Sequence, residues 1–444
     1  MAPFAGRERE LAALAHSAAE ARRGEPRVVV IEGQPGMGKS ALLTEVARRL
    51  PDAFIIRASG AEPEMRLPYG LVGQLTASAC RPGAPRTMSG LPSRAPADPL
   101  TIGAELAAEL GRVASPGRLA VMIIDDAHWA DPGSAAALLH ALRRMHSGAF
   151  LTVVAARPVE FGQLGAGSWS RFAAGDYRAT RLRLGGFSVA EAQSLAQLIT
   201  GAELPEPVAA RLVHCTGGRP DYCRAVLDEA AAQPTGSATP LIAGRGPAAV
   251  DEETVPVPRD VATDIAARAA LLSAAASELL DAAAVLGRSS SVAVAALLAG
   301  IPDPAGAVGE IAATGLATES LEGSGGQIQF ADPLTHRAVH AQIAPNRRRD
   351  LHQRAAGLTR PDESLRHRFA AATGHDPVLA ADLESAGRAA GRRAAAGRYK
   401  KSPADVRQGS TGQGTTGQGT TGQEAAGQPA SAQAAGWLMQ ASAP

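Results

Sequence analysis

The sequence predicts an α/β fold over residues 1–187, with a parallel sheet covered by helices, followed by units that are mainly helical. Short apolar runs alternate there with helical patterns, as βα units require. Each run is apolar at nearly every position, which suits a strand buried on both faces. The runs are residues 27–31, 53–56, 120–124 and 150–155.

Composition and pattern divide the rest of the chain. Helical spacing continues from residue 188, a Pro/Gly/Ser-rich stretch interrupts it, and a later hairpin pattern (strands 315–320 and 327–330) follows further helices. The last part is a Gly/Thr/Gln/Ala repeat that is too poor in apolar residues to fold. The predicted domains are a core (1–187), a helical lid (188–232), a linker (233–258), a winged-helix-like domain (259–345), a helical segment (346–400) and a disordered tail (401–444).

The bulk composition argues against several function classes. A net charge of +1 over 444 residues gives no general attraction for nucleic acid or anionic lipid. The three cysteines lack metal-ligand spacing, and no apolar run approaches a membrane span. We therefore expect a cytoplasmic protein without a membrane partner.

A glycine-rich motif follows the first predicted strand and precedes a helical pattern. It reads GQPGMGKS at residues 33–40 and fits GxxxxGK[ST], the P-loop of nucleoside triphosphatases. Its glycines let backbone N–H groups turn toward phosphate, while Lys39 binds the β- and γ-phosphates and Ser40 binds Mg²⁺. The predicted nucleotide-binding residues here are Gly33, Gln34, Pro35, Gly36, Met37, Gly38, Lys39, Ser40 and Ala41.

Two acids and an arginine follow later strands of the predicted sheet. Asp125 and Asp126 directly follow the apolar run 120–124, and Arg157 comes just after the run 150–155. Asp125 is predicted to hold Mg²⁺ together with Ser40, and Asp126 to act as the base that activates water. Arg157 is predicted to stabilise charge on the γ-phosphate, with a surface arginine as the alternative.

These residues together resemble the STAND branch of the AAA+ ATPases, and more closely the ATPase module of large LuxR-type transcriptional regulators. Five segments carry the resemblance over residues 3–398: FAGRERE at 4–10, DDAHWAD at 125–131, GGRP at 217–220, FADPL at 330–334 and RRRDLH at 347–352. The resemblance implies an AAA+/STAND-like P-loop core with a helical lid and a winged helix.

The same resemblance implies a function. ATP or ADP with Mg²⁺ would lie between core and lid, with Arg7 near the adenine and Pro220 against the base. Slow ATP hydrolysis would drive a signalling switch that self-associates with ATP and responds to an unknown protein or small-molecule effector.

The chain also departs from that family pattern. Arg219 stands where the lid turn has Asn, and Asp332 stands where the winged helix has His. No helix-turn-helix pattern follows residue 398, so the sequence predicts a module truncated before the helical-repeat and DNA-binding regions. Two alternatives stay open: a DNA-associated remodelling or initiator-type AAA+ ATPase, and an ATP-binding module without output.

Overall fold

The computed structural model describes residues 4–79, 98–113, 118–157, 169, 172, 174–176, 178–232, 256–320, 326–374 and 376–399. These residues form two compact units. The first comprises the described residues up to 232 together with 256–261 and 332–334, and the second comprises the others. The predicted boundary between residues 187 and 188 lies inside the first unit. The predicted tail and most of the predicted linker lie outside the described residues.

The first unit alternates strands and helices along the chain. Its strands are β1 (Arg27–Glu32), β2 (Phe54–Ser59), β3 (Ala120–Asp125), β4 (Phe150–Ala156) and β5 (Ala179–Arg183). Its helices are α1 (Glu8–Arg22), α2 (Lys39–Arg49), α3 (Gly70–Ala79), α4 (Pro99–Val113), α5 (Pro132–Arg144), α6 (Val189–Thr200), α7 (Glu206–Thr216) and α8 (Pro220–Ala231).

The five strands form one parallel sheet in the order β2-β3-β4-β1-β5. Its register pairs Arg27 with Leu151 across β1 and β4, and Ala120 with Phe150 across β3 and β4. The parallel sheet and the four sequence-predicted strands are confirmed. Strand β5 was not predicted, because Ala179–Arg183 alternates polar and apolar residues in the manner of an edge.

Successive strand residues enter different hydrophobic cores. In β1, Val28 and Val30 belong to the core beneath α3, α4 and α5, whereas Val29 and Ile31 belong to the core beneath α1 and α2. This two-residue alternation is what a strand covered on both faces requires. Every residue of β4 is buried, which fits its place at the centre of the sheet.

The three helices α6, α7 and α8 occupy the region predicted as a lid. Helix α6 begins with a capping box in which Ser188 Oγ accepts the Glu191 N–H and the Glu191 side chain accepts the Ser188 N–H. Helices α7 and α8 are joined by a tight turn at Gly217 and Gly218, where φ is 61° and 69°. The helices predicted between residues 188 and 232, and the break at residues 217–220, are present, whereas the role of these helices as a lid stays a prediction.

The second unit contains helices and a small antiparallel sheet, and α9 and α13 each have residues in both units. The strands β6 (Ser289–Ser291), β7 (Ala317–Ser320) and β8 (Gln327–Phe330) are ordered β6-β8-β7. The helices are α9 (Arg259–Ala269), α10 (Ala274–Leu286), α11 (Val292–Ala299), α12 (Ala305–Thr314), α13 (Pro333–Gln342), α14 (Pro345–Ala355), α15 (Pro361–Ala371) and α16 (Pro377–Tyr399). The predicted hairpin strands are present, with their connecting residues 321–325 outside the described residues.

Four histidines form a row inside the second unit. The rings of His336, His340, His352 and His367 follow one another at centroid distances of 6.2, 5.7 and 5.2 Å. His352 Nδ1 and His367 Nδ1 are 2.9 Å apart, so one of the two nitrogens donates to the other.

In the described part of the chain, none of the helices combines the length and apolar character needed to span a membrane.

Candidate functional site

The sheet order brings the predicted site residues to one edge. Strands β1, β3 and β4 are parallel, so Glu32, Asp125 and Ala156 end them on the same side. Strand β4 lies between β1 and β3, which places the ends of β1 and β3 about 10 Å apart. A group between the loop after β1 and the acids after β3 can therefore contact both.

The loop after β1 turns sharply into α2. Gly36 and Gly38 have φ of 80° and 83°, a conformation that favours glycine. Gly38 is the residue before α2, and it has no side chain that could occupy the first N–H groups of the helix. These N–H groups and the positive end of the helix dipole make the loop suitable for an anion.

Lys39 is the first residue of α2, directly after this loop, and is 7% exposed. Its ammonium donates to the carbonyl oxygens of Gly33 at 2.8 Å and Gln34 at 3.2 Å. Burial lowers the pKa of Lys39, the charges of Asp126 and Asp125 raise it, and Arg157 lowers it. These three predicted site residues are thus within electrostatic range of the lysine.

Ser40 and Ala41 occupy the exposed side of the first turn of α2. The Ser40 carbonyl accepts the hydroxyl of Thr44 at 2.9 Å, an ordinary contact within the helix. Both residues follow Lys39 directly, as a site for phosphate and its metal requires, and their predicted roles remain predictions.

The two predicted acids have different backbone environments. Asp125 ends β3, and its Oδ1 accepts the N–H of Asp126 at 2.9 Å. Asp126 has φ of 45°, one of few positive values at non-glycine residues among those described. A Cβ built on Gly60 would lie less than 3.0 Å from the Asp126 carbonyl oxygen, so the turn requires glycine there. Such strained backbone is common at functional sites.

No role was predicted from the sequence for His128. It is 4% exposed, and neither ring nitrogen has a hydrogen-bond partner among the described residues. Burial, followed by the charges of Arg157 and Lys39, lowers the pKa of His128 to about 4. The imidazole is therefore neutral at pH 7, so its Nδ1, 3.8 Å from Asp126 Oδ1, forms no ion pair. The DDAHWAD pattern signalled the position, but burial could not be read from it.

Arg157 is exposed directly after β4. Its guanidinium lies 5.6 Å from the centre of the Trp129 ring, and that ring lies 4.9 Å from His128. A cation–π contact therefore holds the arginine over Trp129, three residues after Asp126 in the chain. Its charge lowers the pKa of both Lys39 and His128, which places it within range of the loop.

The last acid of the DDAHWAD segment has a structural task. Asp131 is the N-cap of α5, and its Oδ1 accepts the N–H groups of Ser134 and Tyr69, each at 2.9 Å. The cap fixes the start of α5 and the segment before α3 with one carboxylate.

Arg7 connects the loop after β1 to the lid. Its Nη2 donates to the carbonyl oxygens of Met37 at 3.1 Å and Gly185 at 2.7 Å. Its backbone N–H donates to Glu191 of α6 at 2.9 Å, and the guanidinium lies 5.1 Å from the centre of the Phe187 ring. Arg7, predicted to contact adenine, thus also connects three segments of the chain through hydrogen bonds.

The lid turn lies against the same loop. Pro220, predicted to contact the base, is the first residue of α8, and a Cβ built on Gly38 would lie 4.0 Å from Pro220 Cγ.

Glu32, also unassigned from the sequence, is buried just before the loop and pairs with Arg181 at 2.6 Å. That pairing could not be anticipated without β5.

Part of the chain matches a known family of proteins. Residues 3–154 match the family model of the AAA ATPase domain. Those residues contain the GQPGMGKS loop, α2 and the two acids after β3. The first unit has the fold of an AAA+ P-loop NTPase, with parallel strands in the order β2-β3-β4-β1-β5. A search of curated proteins gave no match.

Several solved structures are similar to the chain at low identity. The STAND protein PH0952 from Pyrococcus horikoshii, which has a tetratricopeptide repeat sensor, is 17% identical with a TM-score of 0.35, over 86% of this chain and 50% of that one. The chain thus spans half the length of PH0952. The Walker-type ATPase paby2304 of Pyrococcus abyssi is 13% identical, with a TM-score of 0.48, over 76% and 96%. The Aeropyrum pernix ORC2 protein in its ADP form is 12% identical, with a TM-score of 0.41, over 78% and 97%.

Proposed function

We propose that this protein binds ATP and hydrolyses it slowly, and that the bound nucleotide sets its signalling state. The observation that carries the proposal is the convergence at one sheet edge of Lys39, the two acids after β3 and Arg157, which are near enough to shift the pKa of the lysine. A buried ammonium within electrostatic range of two carboxylates, at the N-terminus of a helix without a side-chain cap, suits a phosphate chain with its metal.

The donor set fits Mg²⁺. Ser40 offers a hydroxyl and Asp125 a carboxylate, the hard oxygen ligands that this ion prefers. In the described ranges, no three His, Cys, Asp or Glu side chains are grouped to hold a metal by themselves. Mg²⁺ commonly binds through one or two protein oxygens, substrate phosphates and water, so Ser40 and Asp125 would suffice. The ion would neutralise charge on the β- and γ-phosphates.

Hydrolysis would then need a base and a stabilising charge. Asp126, which has a left-handed backbone conformation directly after β3, would accept a proton from the attacking water. Arg157, held over Trp129, would stabilise negative charge on the transferring phosphoryl group.

The switch part of the proposal rests on the resemblance to STAND-type modules of LuxR-family regulators. ATP and ADP would favour different conformations because only ATP makes contacts through a γ-phosphate. The ATP form would self-associate, and an unknown protein or small molecule would bias the exchange. A role in transcription regulation follows from the same resemblance.

The DNA-associated alternative has less support. Its basic run, Arg347–Arg349, makes contacts within the protein: Arg347 donates to Asp281 at 2.9 Å and Arg348 to the His340 carbonyl at 3.3 Å. Guanidinium groups used in this way contribute less to a phosphate-binding surface.

Turnover measurements separate the two proposals. For the switch, we expect slow ATP hydrolysis that duplex DNA does not change, and a larger species in size-exclusion chromatography with ATPγS than with ADP. Several-fold stimulation of hydrolysis by duplex DNA would contradict the switch and favour the DNA-associated ATPase. Absence of hydrolysis with tight ADP binding would favour a binding module without output.

A further inference from the structure

The side chains of Arg219 and Asp221 lie directly on the nucleotide loop. A Cβ built on Gly36 would lie less than 3.0 Å from both Asp221 Oδ2 and Arg219 Nη2. Any side chain at position 36 would therefore displace this pair. The contact places a cation from the lid beside the N–H groups that we propose bind phosphate.

The guanidinium of Arg219 is held in a defined position. Its Nε and Nη2 donate to the two carboxylate oxygens of Asp221 at 3.1 and 2.6 Å, and its Cζ lies 3.8 Å from the centre of the Tyr222 ring. Arg219 is 7% exposed. The preceding turn at Gly217 and Gly218 fixes the backbone from which the side chain extends.

Arg219 keeps hydrogen-bond donors that a phosphate group can use. A guanidinium carries five N–H donors, and Asp221 accepts from two of its nitrogens, so donors remain for a second acceptor. Its planar geometry matches phosphate as well as carboxylate. An incoming phosphate would use these remaining donors, but it would share the positive charge of the guanidinium with the carboxylates of Asp221 and Asp332.

We propose that Arg219 binds the polyphosphate of the nucleotide in the loop, and that Asp221 weakens this binding by competing for the guanidinium. The inference rests on the proposed nucleotide site and deepens it. It gives the lid a direct contact with phosphate through a residue that stands where the resembling family has Asn. Binding of nucleotide would then change the hydrogen bonds at the start of α8.

Two substitutions have opposite expected effects. Arg219→Ala removes a charged hydrogen bond to phosphate, so the affinity for ATP should fall about tenfold or more. Asp221→Asn keeps an oxygen for the Tyr222 N–H, which donates to Asp221 Oδ1 at 2.9 Å, but removes the competing charge. The affinity of that variant for ATP should rise about threefold or more.

The affinities are measured by titrating the full chain with fluorescent mant-ATP and mant-ADP in the presence of Mg²⁺. A pair that only holds the turn together predicts weaker binding in both variants, because either change breaks the pair. Parallel losses, or unchanged affinity in Arg219→Ala, would overturn the proposal. If Arg219→Ala does not fold, the sign of the change in Asp221→Asn decides by itself.

Two controls make the result specific. Arg48 has a side chain 57% exposed and pairs with Glu45 on α2, so Arg48→Ala should bind mant-ATP within about twofold of the unchanged protein. Thermal unfolding without nucleotide identifies variants that lose structure. If the unchanged protein binds no nucleotide, the proposed function fails. If it binds and Lys39→Ala does not, while Arg219→Ala binds normally, only the Arg219 inference fails.

Discussion

Replacing Arg7 by alanine should destabilise the first unit and weaken nucleotide binding together. Arg7 is 5% exposed, and its Nη2 donates to two carbonyl oxygens, at 3.1 Å to Met37 and 2.7 Å to Gly185. Each hydrogen bond from a charged donor contributes about 1.5–3 kcal/mol, and the contact with Phe187 adds about 0.5–1 kcal/mol. Together these contacts give an expected loss of about 3.5–7 kcal/mol in the free energy of unfolding, measured by urea denaturation followed by circular dichroism.

A glycine variant separates the side chain from the backbone. Arg7 has φ of 63°, which costs a non-glycine residue about 1–2 kcal/mol. Arg7→Gly should therefore be about 1 kcal/mol more stable than Arg7→Ala, because glycine adopts this backbone conformation without cost and is also preferred over alanine at the N-cap of a helix. Arg7→Lys keeps the charge but cannot donate in the same fork, and should fall between Arg7→Ala and the unchanged protein. An Arg7→Ala variant within about 0.5 kcal/mol of the unchanged protein would refute this reasoning.

Three further predictions concern protons, catalysis and a helix cap. Burial, together with neighbouring cationic charge, lowers the pKa of His352 and His367 to about 4 from 6.5, so the unfolded chain binds protons that the folded chain does not. The contribution of these histidines to the free energy of unfolding should be complete above about pH 6.5 and fall toward pH 4 by up to about 1.4 kcal/mol per pH unit for each histidine. His367→Gln should reduce the slope of stability against pH, which hydrogen exchange of α14 measures. An unchanged slope in that variant would contradict the pKa assignment. Asp126→Asn should lower the rate of ATP hydrolysis about 100-fold or more with little change in mant-ATP affinity; equal loss of both would remove Asp126 from the role of base. Asp131→Ala should lower the free energy of unfolding by about 1–2 kcal/mol in urea denaturation, and no loss would show that the cap is dispensable.

Local patterns predicted the central part of the fold. The run 27–31 and the GQPGMGKS motif gave β1, its loop and α2, because hydrophobic burial and the need for glycine at positive φ act within a few residues. Strand β5 was missed, since its alternating residues lie at an edge and pair with β1 only after a long connection. The three serines of β6 gave no strand signal either.

The sequence predicted which residues belong to the site better than it predicted their contacts. Sequence spacing predicted which residues follow the strands, but not that His128 is buried without a hydrogen-bond partner among the described residues. The contacts of Arg7 join it to residues 178 and 184 positions away, at Gly185 and Glu191. The Arg219–Asp221 pair over Gly36 depends on a lid turn that returns to the loop. Such contacts are set by tertiary structure, and no local pattern encodes them.

The central claim is that Lys39 and its loop hold the phosphates of ATP. The most direct measurement is the dissociation constant of mant-ATP with Mg²⁺ for the unchanged protein and for Lys39→Ala, with thermal unfolding of both to confirm that they are folded. The account predicts saturable binding to the unchanged protein and a loss of affinity of about 100-fold or more in the variant, because a buried ammonium is removed from the phosphate site. Equal affinity in the two folded proteins would contradict it.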